Sequence, residues 1–157
     1  MTSFETIKKQ VHMSHELQKY ESTVVRDETN CYSYAIGATY PELRNYRIGA
    51  LSQKKSIYEK YSSKEEILRL LEQDLNILEL KHEICQSLKQ LGSGEYAIRL
   101  YIRKYANGQI ADYHFIRYDP EEGWSEKWRW QMPSKITENY YEGRWDWENV
   151  MTLKITP

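Results

Sequence analysis

The strongest constraint on the fold is a change of hydrophobic period close to Gly94. Ahead of it, Ile67, Leu68, Leu71, Leu75 and Leu78 recur at helical spacing. Ser62 and Ser63 precede Glu65 and Glu66 by three residues, the spacing of a capping box. Beyond Gly94, Tyr96, Ile98, Leu100 and Ile102 alternate with Ala97, Arg99, Tyr101 and Arg103, as in a half-buried strand. Asn107-Gly108 is a hairpin turn signal. A returning strand then spans 110–118, a turn 120–123, a third strand 124–130 closed by Pro133, and a last strand 150–155. Helices followed by an antiparallel meander define an α+β fold, its N-terminal helices packed on a C-terminal antiparallel sheet. A chain of 157 residues fits one domain, 1–157.

The first third of the chain is less periodic. Ile7, Val11, Met13 and Leu17 give a weak helical pattern, and 21–30 reads as loop. The run Cys31-Tyr-Ser-Tyr-Ala-Ile-Gly37 reads as a short apolar helix, opened by Thr29 or Asn30 and ended by Gly37. After a break at 76–80, Ile84 and Leu88 extend the helical set, which places Cys85 in a helix as an inert buried thiol. Two cysteines are too few for a disulfide framework. The formal net charge of -1 supplies no global field for nucleic acid or an anionic membrane. No apolar run approaches the roughly 18 residues of a membrane span, and no leader-like apolar stretch stands at residues 1–20. A cytoplasmic protein without a membrane partner is the expectation.

The chemistry centres on Cys31 and His114. A cysteine is nucleophilic as the thiolate, and a helix N-terminus favours that form through its unpaired N–H groups. Cys31 occupies this place. His114 lies within a strand, on the side opposite Tyr113 and Phe115, where an imidazole can face a helix packed on the sheet.

The order Asn30-Cys31-Tyr-Ser-Tyr-Ala-Ile-Gly37, a long helical insert, Asp112-Tyr-His114-Phe-Ile-Arg117 and Gly123-Trp-Ser-Glu-Lys127 resembles papain-like (NlpC-type or CHAP-type) cysteine amidases and peptidases. The resemblance covers about residues 29–130, and its specific part is those three short stretches. It implies a papain-like fold, a Cys31 nucleophile, a His114 base, and a third polar residue near Glu126 on the following strand. It implies peptide, cell-wall peptide or protein side-chain amides as substrates, with no cofactor and no metal. The pattern departs at Glu126, where similar proteins often carry histidine or an amide, and at Trp128, where glycine is common. A carboxylate can also orient an imidazole. Asp112, two residues from His114 on the same strand face, is the alternative orienter. The oxyanion hole takes the Cys31 N–H and a second donor, from Asn30 or a nearby tyrosine.

Three other patterns compete. His12-x-x-His15 and His82-x-x-Cys85 have a spacing that places each pair on one helix face, suited to zinc. Lys54, Lys55, Arg99, Arg103, Lys104 and Arg117 interleave with tyrosines, as single-stranded nucleic acid binders do, although the neutral charge argues against that partner. The 14 Tyr and 5 Trp against 2 Phe suit either a sheet with one wet face or a recognition surface. The alternative to an enzyme is therefore a non-enzymatic binding or inhibitor protein of phage or mobile-element type, contacting a host protein through its aromatic residues.

Overall fold

The computed structural model describes residues 4–12, 17–39, 44–52 and 60–157, so His15, Lys54 and Lys55 lie outside the described residues. Four α-helices come first: α1 (Phe4–Val11), α2 (Thr23–Glu28), α3 (Cys31–Ala35) and α4 (Lys64–Ile77). The strands are β1 (Lys81–Ile84), β2 (Tyr96–Lys104), β3 (Ile110–Asp119), β4 (Gly123–Glu126), β5 (Ser134–Lys135) and β6 (Glu148–Thr156). The fold is α+β, with N-terminal helices and an antiparallel sheet.

Both helix starts follow local chemistry. Ser63 caps α4 by accepting the Glu66 N–H at 3.1 Å, while Glu66 reaches back to Ser62. Asn30 caps α3 by accepting the Ser33 N–H at 2.8 Å. Gly37 then takes φ 73°, and the Ala38 N–H closes the helix on the Ser33 carbonyl at 2.8 Å.

The sheet is not a simple meander. Its order is β1-β6-β2-β3-β4-β5, so the last strand lies between the first two. Residues 81–84 are not helical either. Glu79 turns the chain at φ 57°, β1 pairs with β6, and the Cys85 N–H bonds the Thr152 carbonyl at 2.9 Å. The free edge of β6 needed a partner, and that pairing overrides the leucine spacing that continued through Ile84 and Leu88. The third strand also ends early, at Glu126 rather than near Trp130, which takes φ 69°.

The register sorts β2 and β3 into two faces. Leu100 opposes Phe115 and Ile102 opposes Tyr113, on the side covered by the helices. Tyr101 opposes His114 and Arg99 opposes Ile116, on the other side, against Trp124, Tyr141 and Trp147. Asp74 of α4 ties the helical layer together. It is fully buried and accepts the Tyr32 hydroxyl at 2.7 Å and the Gly49 N–H at 2.8 Å. Asp74→Ala strands both donors, so denaturant unfolding is expected to show a loss of about 3 kcal/mol. A loss below about 1 kcal/mol would show that water replaces the carboxylate at no cost.

Candidate functional site

Cys31 is the first residue of α3, partly exposed, and it packs against the helix-side core. β4 pairs with β3 only from Ile116 to Asp119, leaving β3 without a strand partner on that side from Phe115 backwards. The Phe115 N–H, in the peptide group that joins His114 to Phe115, favours the Cys31 thiolate. The N–H groups of Tyr32 and of Cys31 itself act in the same direction. Burial nevertheless dominates and pushes the thiol up to about 12, against the pull of those three donors and assisted by the Asp112 carboxylate. The expected activation by the helix N-terminus is therefore corrected in sign. A five-residue helix has little macrodipole to offset desolvation.

His114 is buried on the opposite side of β3. Its Nε2 meets Glu126 Oε2 at 2.8 Å. The Trp128 indole lies flat on the ring, 3.8 Å between centroids and 2° between planes. Tyr141 stands edge-on at 5.3 Å and Trp147 at 6.1 Å. The imidazole thus faces an aromatic wall rather than a packed helix, which corrects the expectation for its surroundings. Burial lowers its pKa further than the Glu126 carboxylate raises it, so the ring is neutral near pH 7. Burial raises Glu126, but the hydrogen bonds from His114 and from the Tyr141 hydroxyl outweigh it and leave an anion. With Nε2–H donated to that carboxylate, Nδ1 carries the free lone pair. Nδ1 is buried and has no hydrogen-bond partner among the described residues, so it is not bonded to the thiol in this state.

The structure brings His114 and Glu126 into contact but leaves the Cys31 thiol on the other side of β3 from the ring. Asp112 does not orient the ring; it is exposed and its Oδ1 accepts the Tyr113 N–H at 2.8 Å. Its charge acts on both Cys31 and His114. Asn30 is not an oxyanion donor. Its Nδ2 donates to the Tyr46 carbonyl at 2.9 Å and to Asn45 Oδ1 at 3.3 Å, and its Oδ1 is taken by the cap.

Two contributors, Tyr141 and Lys127, escaped the sequence, whereas Trp128 was a candidate for a wall beside His114. Trp128 and Tyr141 enclose the His114–Glu126 pair, the former from the turn after β4 and the latter from a stretch without periodicity. Lys127 is buried, 1% exposed, and its ammonium donates to the Thr29 carbonyl at 2.8 Å, to the Trp128 carbonyl at 3.3 Å and to the Arg26 carbonyl. Only the Gly-Trp-Ser-Glu-Lys run hinted at it, and a lysine after a strand normally reads as solvated.

Two of the rival patterns do not assemble among the described residues. His82 lies on β1 and Cys85 just past it, so their spacing no longer shares a face, and His82 Nδ1 contacts the Leu80 carbonyl at 3.0 Å. His12 Nε2 contacts the Leu78 carbonyl at 2.9 Å. Among the described residues, no three His, Cys, Asp or Glu side chains gather as a metal site. The basic strip is split between faces. Arg99 bonds Thr152 and Glu138, Arg103 covers Trp147 at 4.1 Å, and Arg117 turns inward to Asp119 and the Ala35 carbonyl. No helix among the described residues is long and apolar enough to cross a membrane.

Comparison with protein-family models, with curated proteins and with solved structures returned no match.

Proposed function

We propose that this protein is a thiol-dependent amidohydrolase or peptidase of papain-like (NlpC-type or CHAP-type) architecture. Its substrate is a peptide, cell-wall peptide or protein side-chain amide, its nucleophile Cys31 and its base His114. The observation that carries this reading is the state of the His114 ring. A neutral imidazole has one nitrogen fixed on a carboxylate and its other nitrogen buried and without a partner among the described residues, and the next residue's N–H acts on the Cys31 thiol. A structural histidine would satisfy both nitrogens.

The chemistry follows from those states. Neutral thiol and neutral imidazole call for general-base catalysis rather than a standing thiolate–imidazolium pair. As Sγ bonds the amide carbonyl carbon, the thiol proton passes to Nδ1, a step that requires the ring and the sulfur, on opposite sides of β3 in this structure, to come to one side; Glu126 then stabilises the imidazolium. The developing oxyanion takes the Cys31 N–H at the helix start. The C–N bond then breaks, Nδ1 returns the proton to the leaving amine, and water hydrolyses the thioester to release the acid. That Sγ–Nδ1 contact is not made in this structure, so the proposed step needs a substrate-bound arrangement in which β3 no longer separates the two groups.

Incubation with a mixed set of blocked peptides and side-chain amides, followed by mass spectrometry for new carboxyl groups, is expected to yield products with the native protein and none with Cys31→Ala. Equal yields from both would sink the proposal. Exposed Trp130, Met132 and Trp145 favour the second reading, a binder that uses an aromatic surface. Full biological effect in Cys31→Ala would select it.

A further inference from the structure

A buried cation stands beside the proposed nucleophile, and the hydrolytic mechanism does not use it. The geometry points to Lys127 as a positioning residue for Cys31: its ammonium clamps the end of β4 to the turn that opens α3, and its charge favours the thiolate. This rests on the thiol reading of the site. Lys127 follows Glu126 directly, so the strand that delivers the orienting carboxylate also delivers the clamp. Its three N–H bonds are spent on the carbonyls of Arg26, Thr29 and Trp128. The first two lie at the end of α2, within five residues of Cys31. No carboxylate among the described residues bonds this ammonium, although the Asp27 carboxylate acts on its charge from nearby.

Burying a lysine without a bonded counter-ion is costly, and a structural clamp of carbonyls needs no charge. A nearby group that becomes anionic during turnover gives the charge a use. The groups facing the ammonium fit that view. Tyr20 offers its ring at 5.9 Å, α2 contributes Arg26 and Asp27, the turn after β4 contributes Arg129, and Cys31 lies on α3. Burial lowers Lys127 to about 8, Arg26 and Arg129 add to the fall, and Asp27 and an ionised Cys31 oppose it. An ionised Cys31 is the smallest of these influences on Lys127, and by reciprocity the ammonium favours the thiolate, against the Asp112 carboxylate.

The test reads the thiol rather than turnover. In a Cys85→Ser background, alkylation of Cys31 by iodoacetamide is followed against pH in the otherwise native chain, Lys127→Arg and Lys127→Gln. The native logarithmic rate is expected to rise with unit slope up to about pH 8, the value set by Lys127, and to flatten as the ammonium loses its proton. Lys127→Arg keeps a charge that does not titrate, so its line stays straight. Lys127→Gln keeps two donors without charge, and its line stays straight but about three- to tenfold slower at pH 7. A Lys127→Gln profile that overlays the native one overturns the proposal. So does a Lys127→Gln chain that unfolds where Lys127→Arg folds, because that outcome assigns the ammonium to stability alone. Alkylation needs no substrate, so the hydrolase reading fails or survives separately, on product formation.

Discussion

His114→Ala is expected to lower kcat for the proposed amide hydrolysis by about a thousandfold, because it removes the buried, unpaired ring nitrogen assigned as the base. The native pH profile should carry a matching signature. His114 must be neutral to accept the thiol proton, and burial holds its pKa below the usual 6.5. Activity should therefore persist below pH 6.5 and fall only under more acid conditions. Stability has the same sign. An unfolded histidine takes up a proton below about pH 6.5 while buried His114 resists. The unfolded chain then binds more protons, and stability is lost as pH falls from 6.5 through the folded value. Urea unfolding at pH 7.5 and 5.5 measures this. The native protein should weaken at pH 5.5 more than His114→Ala does. An unchanged kcat in the variant would remove His114 from the mechanism.

Glu126 carries the second large effect. It accepts both the His114 Nε2–H and the Tyr141 hydroxyl within an aromatic enclosure. Glu126→Ala leaves two buried donors without a partner, an expected cost of about 3 kcal/mol by chemical denaturation. Glu126→Gln separates charge from shape. It keeps an oxygen for Nε2–H but cannot neutralise an imidazolium, so kcat should fall by about a hundredfold with a smaller stability loss. A Gln variant of native kcat would mean that the carboxylate is only a packing partner.

Legibility differed between parts of the chain for physical reasons. α4 and the β2–β3 hairpin were readable because capping, period and turn residues all agree locally. β1 was not, since its conformation depends on β6, more than sixty residues later. The contact of Glu126 with His114 was expected from the resemblance alone, because the register that makes it, beginning at Asp119 and Gly123, is open to a one-residue slip in the sequence. The environment of His114 was only half legible. Alternation fixed its side of the strand, but the segment that fills that side, around Tyr141, has no period to read. The sign of the Cys31 shift was missed because desolvation is a property of the packed state, and a helix start shows only the opposing effect.

The insertion of β6 between β1 and β2 has a consequence for biosynthesis. The β2–β3 hairpin can close as soon as it is made, yet β1 waits for a partner that is translated last. Tyr141 and Trp147, which enclose the imidazole, immediately precede that strand. A nascent chain that has emerged only through residue 135 thus holds the sulfur and the ring but lacks two of the ring's walls. On the proposed reading, the enclosed imidazole, and with it hydrolytic competence, would be complete only once β6 is made.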